Sequence, residues 1–246
     1  YAHIGLPDKD EMAADATSHW NSYVDSELRA SAAYAPDQDA LVELRSLGFT
    51  VALIVPESGL FHGTSALLSL GAGVSGQQIL RPTVAQHLAL RAPAVGRARE
   101  PKELKYPISL MGTIALARQT FLDAQHYRTV WDIYRETDGA SRRPGYDFAL
   151  EALQPVLDGA LPVVFPATRL DEIDRALSLA NEFELRLVID GGEEATKATS
   201  RLQDADVPVL LRIDFPAKPR RNTPNLERLE ARARTIGRQV TDAMVQ

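Results

Sequence analysis

A handful of residues have the types and settings from which a reaction site could be built. His3, in "YAHIG", stands where a strand reads as ending. An imidazole there is suited to a divalent metal, although one ligand does not make a site, and a structural or exposed histidine would look the same. Asp190, in "VIDGGEEA", ends an apolar run and precedes two glycines and a helix start. A carboxylate so placed can act as a catalytic base, hold a metal or bind a hydroxyl. The same residues also make a plain turn from strand to helix, whose N-terminus favours anions. Arg169 follows "LPVVFPAT" and could clamp a substrate carboxylate or sit in a surface ion pair, while Asp171 reads as a first-turn or capping acid. His62, in "GLFHGTS", lies in what reads as a glycine-flanked loop, where the backbone approaches a substrate or simply turns. His19, His87 and His126 show no partner spacing and default to core or surface positions.

Whole classes of chemistry are excluded. The chain has no cysteine, which removes disulfides and thiolate metal sites. Its formal charge of −6 argues against nucleic acid as a partner. No apolar run approaches the roughly 18 residues of a membrane span, so a soluble protein is expected, with the choice between cytoplasmic and periplasmic left open. Composition does not address its oligomeric state. Phosphate-loop, zincin, nucleophile-elbow and EF-hand patterns are missing. The opening "YAHIGLP" reads as a strand end and its loop, which suggests a segment of a longer protein.

The elements that would hold these residues are those of an α/β chain. "DQDALVELRSLG" (37–48) reads as a helix capped by Asp37 or Asp39, with Leu41, Leu44 and Leu47 on one face and Gly48 as its stop. "FTVALIVP" (49–56) reads as a buried strand. Residues 57–105 form a Gly/Ser-rich excursion with small β pieces. The stretch 106–136 predicts the longest helix, with Ile108, Met111, Ile114, Ala115, Phe121, Leu122 and Val130 as its apolar face. Another helix follows over 146–159, with a kink at Pro155.

The clearest signal comes next. "LPVVF" (161–165), "LRLVI" (185–189) and "VPVLLRI" (207–213) are short apolar strands separated by helices, the first carrying Ile173, Ala176, Leu177 and Ala180 at helical spacing. Strands that are apolar throughout are covered on both faces, the mark of a parallel sheet. Such regular alternation suits a partial (β/α)8 TIM-like barrel, a single barrel segment over 1–246 that lacks flanking strands. The last stretch, 224–246, reads as a charged amphipathic helix.

Several stretches together resemble the amidohydrolase superfamily, in its imidazolonepropionase-related branch: "YAHIGL" (1–6), 44–70, 106–127 and above all "LPVVFPATRLDEIDRALSLANEFELRLVIDGGEEATKA" (161–198), continued by "VPVLLRIDFP". The resemblance implies a (β/α)8 barrel. It also implies hydrolysis of amide-like C–N bonds, in cyclic or dipeptide-like substrates, by water activated on one or two divalent metals, commonly zinc. It further implies altered ligand positions. Where the family has His-x-His, this chain has Tyr1-Ala2-His3. An expected Phe-His-Ala is Phe165-Pro166-Ala167, and a further expected histidine is replaced by Asp190. Tyrosine is a poor zinc ligand near neutral pH, and proline supplies neither an imidazole nor an N–H. Two expectations follow: a metal-dependent hydrolase with an altered site, using His3 and Asp190, or a catalytically silent barrel that binds ligands or serves as a scaffold. Both require the strand ends bearing His3, Pro166 and Asp190 to meet.

Overall fold

The computed structural model describes residues 5–6, 19–57, 59–71, 75–90, 106–137 and 142–212. His3, Tyr1 and the expected helix over 224–246 lie outside the described residues. The chain divides into two compact units, Tyr1–Val164 with Glu182–Arg186, and Phe165–Asn181 with Leu187–Gln246.

The first unit begins with α1 (Ala30–Ala33) and α2 (Gln38–Ser46). Asp37 caps α2, its carboxylate accepting from the N–H groups of Asp39 and Ala40. Gly48, at φ +89, ends the helical run as expected. Leu41 is fully buried, but Leu47 is exposed, so the buried face is narrower than its apolar spacing suggested.

The run after Gly48 gives β1 (Val51–Ile54), β2 (Phe61–Thr64) and β3 (Ala66–Ser69). After α3 (Ser75–Gln78) come β4 (Ile79–Arg81) and β5 (Gln86–Leu88). Here the structure corrects the sequence reading. β1 is no doubly covered parallel strand: it pairs antiparallel with β3, and β3 with β4, so the three form a sheet of their own. Val51 is half exposed. An apolar run by itself does not distinguish a sheet interior from an antiparallel ribbon, and the partner strand supplied a few residues later decides the matter. Ile54, Ala66 and Leu68 bury their inner faces with Ala30 and Tyr34. The other pieces of the excursion pair elsewhere, β2 with β5 antiparallel and β5 with the next strand parallel, through Gln86↔Val163 and His87↔Val164.

The long helix is α4 (Leu110–Glu136), capped by the Ser109 hydroxyl, which accepts from the Gly112 N–H. Its buried face runs Thr113, Leu116, Ala117, Thr120, Phe121, Ala124 and Tyr127. Only Phe121 belongs to the expected set; Met111 and Leu122 are exposed. Thr113 and Thr120 can be buried because their hydroxyls donate to carbonyls one turn back, Ser109 and Leu116. Phe121 sits between Phe61 and Phe183, with ring centroids 5.4 and 5.0 Å away. The expected kink at Pro155 is a complete break: α5 (Phe148–Ala152) ends, and α6 (Gln154–Leu157) restarts with Pro155 in its first turn, where a missing N–H costs nothing.

The second unit carries most of β6 (Val163–Ala167), α7 (Leu170–Glu182), β7 (Leu187–Gly191), a short 3-10 turn (Ala195–Ala198), α8 (Thr199–Asp204) and β8 (Val209–Leu211). Within it the ladder order is β6-β7-β8, with β7 and β8 parallel. This is the strand–helix alternation that the sequence foretold. Ile173, Ala176, Leu179 and Ala180 are the buried positions of α7, and Phe165, Leu187 and Ile189 are buried in the strands. Among the described residues these ladders do not close into a ring.

Candidate functional site

The candidate site lies at the carboxyl ends of β6, β7 and β8. Gly192 N–H donates to the Ala167 carbonyl at 2.9 Å, and this bond sets the register of the two strand ends so that Pro166 lies beside Asp190. Pro166 and Asp190, two of the three residues expected to meet, are therefore neighbours. The third, His3, is outside the described residues.

Asp190 is almost fully buried, at 3% exposure. A buried carboxylate needs a cation or donors, and Arg212 supplies both. Its Nη2 donates to Asp190 Oδ2 at 2.6 Å, and its Nε lies 3.4 Å from Oδ1. The Arg212 N–H bonds the Gly191 carbonyl at 3.1 Å, so the backbone after β8 is tied to the end of β7 and the side chain folds back onto the acid. Arg212 itself is half exposed. Sequence reasoning passed over this arginine, although a signal was present. A charge that interrupts the apolar run "VPVLLRI" needs a partner close by, and the acid at the end of the preceding strand is the natural one.

The two glycines after Asp190 serve packing. A Cβ on Gly191 would stand 3.0 Å from Thr168 Cγ2, and one on Gly192, at φ +57, would collide with Val209 Cγ1. They let the turn fit between neighbouring strands, and the plain-turn reading of these glycines accounts for them.

The start of α7 is likewise already filled. Glu172 Oε2 accepts from the N–H groups of Thr168 and Arg169 and from the Thr168 hydroxyl, at 2.9 to 3.1 Å. Glu194 Oε2 accepts from the Leu170 N–H at 2.9 Å. Burial works to raise the Glu172 pKa, but the Thr168 and Arg169 N–H groups outweigh it and hold the carboxyl below its usual range. Glu194 is also lowered, first by its bond to Lys197 and then by the Leu170 N–H. Two carboxylates from within the fold thus occupy the place where a substrate anion would dock. Arg169 is largely exposed and pairs with Asp171 at 3.1 Å, the surface arrangement that was the alternative to a substrate clamp.

His62 belongs to the first unit. It lies on strand β2, not in a loop, at an irregularity of register between Phe61 and Gly63, and is half-buried. The reason is the β2–β5 ladder, which draws the glycine-flanked segment into a sheet.

The described residues do not fit a zinc centre. Pro166 offers no donor, the Asp190 carboxylate is engaged by a guanidinium, and among the described residues no three His, Asp or Glu side chains converge. No described helix is long and apolar enough to cross a membrane.

Comparison with known proteins places this geometry. No family model matches the chain, and no curated protein matches it. A solved structure, an amidohydrolase from Thermotoga maritima MSB8, aligns with it at a TM-score of 0.69 and 23% identity, over 92% of this chain and 58% of that one. The chain therefore spans a little over half the length of that protein, and what the likeness establishes is a shared fold.

Proposed function

We propose that this chain is part of an amidohydrolase-type barrel, related to the imidazolonepropionase branch, whose strand-end site binds a small molecule without metal-dependent hydrolysis. One observation carries the reading: Arg212 holds Asp190, the only carboxylate among the ligand positions that the resemblance implies for this chain. A divalent cation on that carboxylate would stand close to a guanidinium. At about 4 Å and an effective dielectric near 20, each unit of like charge opposes the other by about 4 kcal/mol, and by less where the guanidinium is half solvated. Pro166 beside it adds no ligand. The pair instead places a half-exposed guanidinium at the mouth of the strands, a group suited to a carboxylate or carbonyl on a small ligand.

The likeness to the Thermotoga maritima amidohydrolase favours a second reading, hydrolysis of C–N bonds by metal-activated water, with His3 as a ligand. Metal analysis of the full-length protein, purified without chelator, separates the two. The binding reading expects no zinc, manganese or iron above background and no thermal shift on adding zinc. A stoichiometric metal that is lost in both His3→Ala and Asp190→Asn overturns it in favour of the hydrolase.

A further inference from the structure

A cavity of about 380 Å3 opens in the first unit, walled in part by His19, Trp20, Asp123, Tyr127, Trp131 and Asp147. That volume is in the range of small-molecule sites. Its chemistry differs from that of the strand-end site. Both tryptophans of the chain are in this wall. Trp20 lies 5.3 Å from the His19 ring, and Trp131 lies 6.0 Å from Tyr127, centroid to centroid. The fixed charges in the wall are carboxylates; no lysine or arginine is among its lining residues.

Each carboxylate is held by one oxygen. Asp123 Oδ1 accepts from Gln119 Nε2 at 2.7 Å. Asp147 Oδ1 caps α5, accepting from the N–H groups of Ala149 and Leu150 at 2.9 and 3.0 Å. Among the described residues both carboxylates are thus held by neutral donors and make no ion pair. His19 does not neutralise them either. Its Nδ1 accepts from the Asn21 N–H at 3.2 Å, which leaves the ring proton on Nε2. Burial disfavours the charged ring and lowers its pKa, outweighing the pull of Asp147 and Asp123. His19 Nε2 and Trp131 Nε1 are buried with no acceptor among the described residues, a cost tolerated where water or a ligand completes a site. Arg135 and Arg143 already stand over the Trp131 ring, at 5.9 and 5.8 Å, which leaves Trp20 and Tyr127 as the ring faces for a bound cation.

We propose that this cavity binds a small organic cation, an alkylammonium group seated against the Trp20 and Tyr127 rings and balanced by Asp123 and Asp147. Aromatic walls attract a cation through their ring quadrupoles, most strongly one that is weakly hydrated, such as a quaternary ammonium. The carboxylates add long-range attraction in a partly desolvated setting.

The test uses the full chain and its own fluorescence, since both tryptophans report on the cavity. Choline is titrated against 3,3-dimethylbutan-1-ol, which has the same shape without the charge. The expected result is a saturable change with choline and affinity for the neutral isostere at least about tenfold weaker. The double variant Asp123→Asn/Asp147→Asn should lose about tenfold in choline affinity while keeping its melting temperature, because asparagine also caps helices. Trp20→Leu changes an exposed side chain, leaves Trp131 as the reporter, and should weaken choline as well. Equal affinity for choline and the neutral alcohol, an unchanged affinity in the double variant or in Trp20→Leu, or no saturable response to choline, overturns the proposal. None of these outcomes bears on the strand-end site.

Discussion

Arg212 Nη2 stands 2.6 Å from Asp190 Oδ2, so an acid buried at one strand end is held by a base from the end of the next. The pair spans β7 and β8 and joins them beyond their backbone bonds. It also sets the chemical character of the site: a carboxylate positioned as a ligand or base is already engaged as half of an ion pair.

Arg212→Met should destabilise the protein by about 1–3 kcal/mol, the cost of taking a charged donor away from a buried carboxylate. Asp190→Asn should cost less than Asp190→Ala, since the amide oxygen still accepts. Urea denaturation of both single variants and of Asp190→Asn/Arg212→Met closes a double-mutant cycle. A coupling energy below about 0.5 kcal/mol would show the pair to be energetically idle.

Glu172→Ala should cost about 1 kcal/mol by uncovering the first N–H groups of α7, with Glu172→Gln in between. The pH dependence has a definite sign. Glu172 and Glu194 both have folded pKa values below the ordinary glutamate value of about 4.3, so the stability they add is fully present above that value and is lost as pH falls through their lowered values. The stability gap between the native protein and Glu172→Gln, measured by denaturant titration from pH 7 to pH 3, should narrow only in the acid part of that range. A gap that is constant with pH contradicts the capping role.

Two glycines with left-handed backbones should respond unequally to alanine. Gly48, at φ +89, has nothing within 4 Å of a Cβ, so Gly48→Ala should cost only the backbone strain, about 1 kcal/mol. Gly192→Ala adds a collision with Val209 Cγ1 to the same strain and should cost about 2 kcal/mol or more. Equal melting temperatures for the two variants would contradict the close β7–β8 packing.

Phe121→Ala should be the most damaging of these changes, by about 3–5 kcal/mol, because it empties the middle of the Phe61–Phe121–Phe183 stack. Leu122→Ala, one residue along on the exposed side of α4, should cost less than about 0.5 kcal/mol. Thermal melts of the two variants separate the buried face from the one suggested by hydrophobicity alone.

What the sequence determined by itself is local. The run from Val163 to Leu211 was legible because each strand there is a short apolar block, each following segment has helical spacing or turn chemistry, and the ladder joins segments that are near in sequence. A cap at Asp37 or Asp39, the stop at Gly48 and an interruption at Pro155 were legible because one residue's own backbone or side chain brings each about; that Asp37 is the cap and that the interruption is a full break came from the structure. Tertiary structure decided the rest. Which apolar run becomes an antiparallel ribbon depends on the partner that reaches it, so β1 went to β3. The buried face of α4 carries Thr113 and Thr120 because their hydroxyls bond the helix's own carbonyls, which no hydrophobicity pattern records. The engagement of Asp190 by Arg212, and of the α7 start by Glu172 and Glu194, followed only once the strand ends stood side by side. Electrostatic and hydrogen-bond partners are chosen by distances of a few ångströms, and those distances exist only in the folded chain.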